Sequence, residues 1–347
     1  MHRGFDEQGA NFQKNPIGTG PYSLAEFGIG KIAKVKRRDG YWGKAPYLDE
    51  IQFIDLGTDI SAHLAALAAG QVDAVYRVTV NELDLAKRLP NVQLVSVPSA
   101  MTVCLRMQVD QKPFDDIRIR KAIVLAADNQ KMLDLALRGQ GLLGENFHVA
   151  SIQPEYFPLP PVKRDVAQAK QLVQESGTAG QTVGVVVQSD DVNKQLGEYL
   201  QSVLNQIGYK AVLKPISPNI QFPYIQNTKN KVQISISSWY QDYPAASDFL
   251  HVLLSCASFH PGSDTSINIS GFCDKPIDTQ MDAALSTEQT SMTQANTMWG
   301  QVDKAIMAQA PTAPLFTPKL IDFTSSRIKH YEFSKQFYML VDQLWVK

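Results

Sequence analysis

Apolar residues recur along this chain at two spacings, and each spacing fixes a type of element. Thr182 to Gln188 is a continuous valine-rich run of strand length; Val192, Leu196, Tyr199, Leu200, Val203, Leu204 and Ile207 then recur at helical spacing and stop at Gly208, and Ala211 to Ile216 reads as strand again. Strand, helix, strand in that order is a βαβ unit, which implies a parallel strand pair with a right-handed crossover. Just upstream, Asp165 precedes a helix with Val166, Ala169, Leu172 and Val173 on one face, ending at Gly177. Downstream, Val232, Ile234 and Ile236 alternate with Gln233, Ser235 and Ser237, the pattern of a strand with one face less apolar than the other. That strand runs into Trp239-Tyr240-Gln241-Asp242-Tyr243-Pro244. Met292, Ala295, Met298, Trp299, Val302, Ala305 and Ile306 mark a long helix stopped by the proline-containing run Ala310 to Pro314, and Leu315 to Thr324 and Phe337 to Trp345 read as strands.

The early part of the chain carries shorter elements. A turn-rich run, Asn15 to Tyr22, feeds a strand from Tyr22 to Phe27, and a second strand from Ile32 to Arg38 follows the Gly28/Gly30 turn, which predicts a hairpin. A third strand spans Glu50 to Leu56, Asp59 or Ser61 caps a helix from Ile60 to Ala69 that stops at Gly70, and Val72 to Tyr76 resumes as strand. The class is α/β, with mixed-sheet and parallel-sheet parts.

Composition narrows the function classes. A length of 347 residues exceeds what one core usually organises, so two or more lobes are expected. The formal net charge is -1, and no Lys/Arg run is longer than Lys36-Arg37-Arg38, so no nucleic-acid partner is expected. No uninterrupted apolar stretch approaches the roughly 18 residues of a membrane span, and MHRGFDEQGANFQ lacks the apolar core of a secretory signal. The six histidines are scattered, the three cysteines form no CxxC pair, and GxSxG, HExxH and P-loop patterns are absent, so no metal, cofactor or catalytic residue is assigned and the chain reads as a non-enzyme.

Ligands of open α/β sheets bind beyond the carboxyl ends of strands. Two such ends stand out: Gln188 and Ser189 after the valine strand, and Trp239, Tyr240, Asp242 and Tyr243 after the Val232 strand. The second combines an indole, two phenols and a carboxylate, suited to stacking on a solute and fixing one cationic group; the plainer reading makes Trp239 core and Asp242 the start of the turn before Pro244. Cys256 and Cys273 bracket a Ser-, Gly- and Asn-rich segment with little apolar material to hold itself. A crosslink there would add about 3 kcal/mol in the chain-entropy model and imply an oxidising compartment; two reduced thiols in a cytosolic protein are the alternative. Cys104, in the apolar run Met101 to Met107, reads as a small buried hydrophobe.

Seven collinear runs together resemble the extracellular solute-binding proteins of family 5, the peptide/nickel class serving ABC importers: NPIGTGPYSL (15–24), RRDGYWGKAPYLDEIQF (37–53), SAHLAALAAGQVDAV (61–75), KPFDDIRIRKAIVLAAD (112–128), RDVAQAKQLVQESG (164–177), SSWYQDYP (237–244) and APLFTPKL (313–320). The resemblance implies a two-lobed periplasmic-binding-protein architecture of type II that closes on a solute. Lobe I, expected to be truncated, would hold residues 1–106 and 318–347; lobe II would hold 107–317, with Met101 to Met107 and Pro314 to Lys319 as hinge crossings. It implies a Trp-x-x-Asp whose acid pairs with a ligand ammonium, here Trp239 and Asp242, and a disulfide between Cys256 and Cys273. The usual Asp-Tyr-Pro-Asp-Pro continues here as Asp242-Tyr243-Pro244-Ala245-Ala246, and the arginine that holds a dipeptide's carboxylate has no counterpart in Gln188-Ser189-Asp190-Asp191. The function expected is therefore capture of an oligopeptide or peptide-like cationic solute by a monomeric periplasmic component that docks on an ABC permease. The alternatives are an importer component for oligosaccharide, opine or nickel chelate, or the sensing module of a cytosolic regulator, which would need a basic helix-turn-helix that MHRGFDEQGANFQ does not supply. A hydrolase acting on the bound peptide would need a nucleophile and base that the sequence does not propose.

Overall fold

The structure is a computed structural model that describes residues 16–347 apart from 58, 76, 77, 79, 145–147, 152, 158 and 335–337. The chain divides into two compact units, Met1–Val97 with Leu320–Lys347, and Pro98–Lys319.

In the second unit, β6 (Met101–Met107) is followed by α3 (Ile117–Ala126), α4 (Asn129–Leu137), β7 (Gly141–Leu143) and α5 (Val166–Glu175). The βαβ unit is then β8 (Thr182–Gln188), α6 (Asp191–Ile207) and β9 (Lys210–Ile216). β8 and β9 pair in parallel from Thr182–Lys210 to Gln188–Ile216, as the sequence pattern predicts. α6 starts where the Asp190 carboxylate accepts the Asn193 amide at 3.0 Å and ends at Gly208, whose φ of 116° a residue with a Cβ would adopt only with strain. Its stripe of Leu196, Leu200, Val203, Leu204 and Ile207 is buried against Val183, Val185 and Val187. Gly197 lets helix and sheet approach: a Cβ there would stand 2.5 Å from Leu213 Cδ1.

α7 (Pro218–Gln226) leads to β10 (Ile234–Tyr240), and the unit continues through α8 (Ser247–Leu254), α9 (Lys275–Glu288) and α10 (Met292–Gln309) into β11 (Thr312–Ser325). β10 lies between β8 and β6, parallel to the first and antiparallel to the second. The serine positions expected to be less apolar are buried as well, Ser235 at 0% and Ser237 at 9% exposure, and Arg106 Nε of β6 donates to Ser237 Oγ while Gln221 of α7 donates to the Ile236 carbonyl. β11 begins earlier than predicted. α10 ends at Ala310 in a left-handed conformation, and Thr312 and Pro314 are already paired with Arg106 and Cys104 of β6. The register shifts between Pro314 and Phe316, so the proline sits at an irregularity rather than in the regular ladder. α8, α9 and α10 enclose a separate core of Leu250, Leu254, Ile277, Met281, Trp299, Val302 and Ile306. Cys104 is buried, as read from the sequence.

In the first unit, β1 (Tyr22–Gly28), β2 (Ile32–Arg37) and β3 (Glu50–Ile54) form a three-stranded antiparallel sheet, the predicted hairpin extended by one strand. α1 (Ile60–Ala68), capped by Asp59, packs Leu64 and Leu67 inward. β4 (Ala74–Val75), the observed part of the strand expected to end at Tyr76, pairs with the far end of β11; Tyr76 itself lies outside the described residues. α2 (Leu83–Ala86) and β5 (Val92–Pro98) follow. The strand expected from Phe337 to Trp345 is not continuous. β12 (Ile328–Lys329) pairs with β15 (Trp345–Val346) and β13 (Phe333–Ser334) with β14 (Tyr338–Met339), separated by a turn at 341–343, while Phe337 is outside the described residues. Passage between the units falls at Val97–Pro98 and Lys319–Leu320, so β6 lies wholly in the second unit.

Candidate functional site

Because β8 and β10 are parallel, their carboxyl ends leave the sheet of the second unit at one edge, where backbone polar groups and loop side chains converge. Gln188 and Ser189 lie half-buried at the first of these ends, and the Ser189 amide donates to Ile216 O of β9 at 2.8 Å. Trp239 and Tyr240 close β10, half-buried and opposite Thr102 and Met101 of β6. The chain then turns through Gln241 to Ala246 into α8. Within that turn Asp242 is exposed and Tyr243 is 40% exposed. The six residues singled out from the sequence therefore follow or close two parallel strand ends, with Asp242 and Tyr243 in the turn itself.

The turn is held from below. Gln241 is buried; its amide donates to Ala100 O at 3.3 Å and its side chain accepts from Gln153 Nε2 at 3.1 Å. Asp248, in the first turn of α8, is 0% exposed. Its Oδ2 accepts both the Trp239 indole N–H at 3.1 Å and the Asp242 backbone N–H at 2.9 Å. Glu155, also buried, lies beside the Ala246 backbone at the other end of the turn. Burial pushes the carboxyl pKa of both Asp248 and Glu155 up, against the lowering effect of hydrogen bonds. The Tyr243 phenol is likewise pushed up, first by burial.

Trp239 is in part the core residue of the plainer reading. Part of its ring packs on the core of α8–α10, and Phe222 of α7 stacks against it with centroids 6.4 Å apart and planes at 26°. It remains partly exposed at the strand end. Asp248 was not among the residues singled out. The available signal was an acid in the first turn of the apolar helix Ser247–Leu254, which reads most simply as a helix-dipole residue.

Further along the chain, Cys256 and Cys273 are bonded. The intervening segment is not short of internal support: Ile269 and Phe272 are buried, and buried Asn268 donates to Ser255 O and Phe272 O at 3.0 and 2.7 Å. A His–Asp–hydroxyl line also occurs in the unit, with His148 Nδ1 2.7 Å from Asp303 Oδ1 and Nε2 against Thr312 Oγ1. All three residues are buried, and Asp303 also accepts the His148 and Val149 amides, so the line ties α10 and β11 to the 148 segment.

The fold is that of the periplasmic binding protein DppA of Helicobacter pylori, solved with the peptide STSA, at a TM-score of 0.83 and 18% identity over 100% of this chain and 67% of that one. The sequence pattern of the bacterial extracellular solute-binding proteins, family 5 (middle region), matches residues 2–260, and the chain belongs to that family. Among curated relatives, the glutathione-binding protein GsiB of Salmonella paratyphi A is 25% identical over 331 residues, covering 93% of this chain and 63% of the relative. The probable ABC transporter periplasmic-binding protein SapA of Escherichia coli K12 is 24% identical over 298 residues, covering 82% and 52%. The chain thus spans less than two thirds of the length of these relatives.

Proposed function

We propose that this protein is the solute-binding component of an ABC importer, taking up an oligopeptide or peptide-like cationic solute outside the cytoplasm and handing it to a membrane permease without chemical change. The observation that carries the reading is the turn at the end of β10, where an exposed carboxylate, Asp242, follows a partly exposed, hydrogen-bonded indole, Trp239. Family membership and the fold shared with a peptide-bound periplasmic protein support the class. In this reading Asp242 pairs with a ligand ammonium, Trp239, Tyr240 and Tyr243 offer aromatic faces, and Gln188 and Ser189 offer neutral hydrogen bonds from the neighbouring strand end. Capture follows from bending at the two chain passages, Val97–Pro98 and Lys319–Leu320, and the solute shifts that equilibrium only by its preference for the closed state.

Titration calorimetry tests it with glutathione, a tripeptide with a free α-ammonium group, and the same tripeptide N-acetylated. Binding of the free-amine peptides and not of the acetylated one supports the reading. Equal heats from both tripeptides, or none from any probe, reject it.

A further inference from the structure

Asp248 is placed at a cost that its own helix does not explain. A carboxylate with 0% exposure is unfavourable unless its hydrogen bonds compensate, and among the described residues only Oδ2 has partners, while Oδ1 is buried with none. The residue is not the N-cap of α8; that position is Ala246, which makes no side-chain capping bond. Both bonds of Oδ2 leave the helix, one to the Trp239 indole and the other to the Asp242 backbone. Those two groups are the ends of the Trp-x-x-Asp, and a single oxygen joins them.

We infer that Asp248 is the positioning residue of this site: it fixes the indole plane and the Asp242 backbone in register, so that a solute meets an aromatic face and a carboxylate already set rather than ordering them on binding. Pre-setting a site raises affinity by removing the ordering cost from the binding step. The role rests on the reading of the turn as the solute site. It differs from simple stabilisation of the fold, which would leave the affinity of folded protein unchanged.

The experiment uses the whole chain, 15N-labelled, with the Trp239 indole N–H resonance assigned by its loss in Trp239→Phe. Asp248→Ala removes both bonds; its indole resonance is expected to move upfield, and its affinity for glutathione, measured at a temperature where melting shows it folded, to fall about tenfold or more, the order of losing a hydrogen bond to a charged group. Asp248→Asn keeps one acceptor oxygen, so it should move the resonance less and weaken glutathione less than Ala does. In the Trp239→Phe background the loss from Asp248→Ala should shrink, because part of its effect passes through the indole. A folded Ala variant with an unmoved resonance, or one that binds glutathione as the wild type does, overturns the inference. If the Ala variant does not fold, the Asn variant decides: an unmoved resonance overturns the inference and a shifted one supports it. If the wild-type chain binds no glutathione, the solute reading fails at that probe, and the resonance alone decides whether Asp248 sets the turn.

Discussion

The two larger sheets of this molecule have opposite surroundings. In the second unit Val183, Val185 and Val187 of β8 and Ile234 and Ile236 of β10 are fully enclosed, because helices cover the sheet and even the serine positions are buried. In the first unit no residue of β1, β2 or β3 is buried, although Ala33 and Val35, paired with Phe53 and Ile51, alternate as half-buried strands do. A cavity of about 700 Å³ lies within that unit, lined by Ile32, Ile51, Phe53, Val75, Ile328 and Leu344 among others. Alternation therefore records that a face is meant to be covered, and only packing shows whether it is. The proposed site sits on the well-enclosed sheet, where a buried carboxylate can hold an indole and an amide without competition from water.

The largest effects should separate these regions. Trp299→Ala removes a 1% exposed ring and its 2.7 Å bond to Glu288, and should cost about 3–5 kcal/mol, seen as a lower urea midpoint. Opening the Cys256–Cys273 bridge by replacing both cysteines with serine removes a crosslink of 17-residue separation and should cost about 3 kcal/mol, unless buried Asn268 already holds the loop. Asp248 and Glu155 should give a smaller, pH-dependent effect. Their folded carboxyl pKa values lie above the ordinary range, so the folded state holds more protons, and stability should fall as pH rises from about 4 through the raised values. A double variant, Glu155→Gln with Asp248→Asn, should flatten that part of the stability curve; an unchanged slope would reject the sign. Phe53→Ala, on the open sheet at 38% exposure, should cost the least, about 1 kcal/mol or less. A loss there equal to that of Trp299→Ala would erase the contrast.

How much was readable follows the same division. Continuous valines, the stripe from Val192 to Ile207 and the stop at Gly208 made the βαβ unit readable because each signal is local and the element is long. The helices Ile117–Ala126 and Lys275–Glu288 were not read as elements. The first appeared only inside a run of family resemblance, and the second interrupts its apolar face with polar residues, leaving Ile277, Met281 and Ala284 as its buried positions. The proline-containing run Ala310 to Pro314 was read as a helix stop with the strand starting at Leu315, whereas β11 starts at Thr312, since a proline at a shifted register does not bar a strand. At the site, residue types pointed to Trp239 and Asp242, but Asp248 was hidden. Its role depends on a helix folding back under the strand end, and no spacing rule relates positions 239, 242 and 248.

The central claim is that Asp242 presents its charge to a solute at the carboxyl end of β10. Its most direct test compares wild type with Asp242→Asn in calorimetry against a free-amine tripeptide and its N-acetyl form. The account predicts that the substitution weakens the free-amine peptide by about tenfold or more and changes the acetylated one little. Identical affinity of wild type and variant for the free-amine peptide would contradict it.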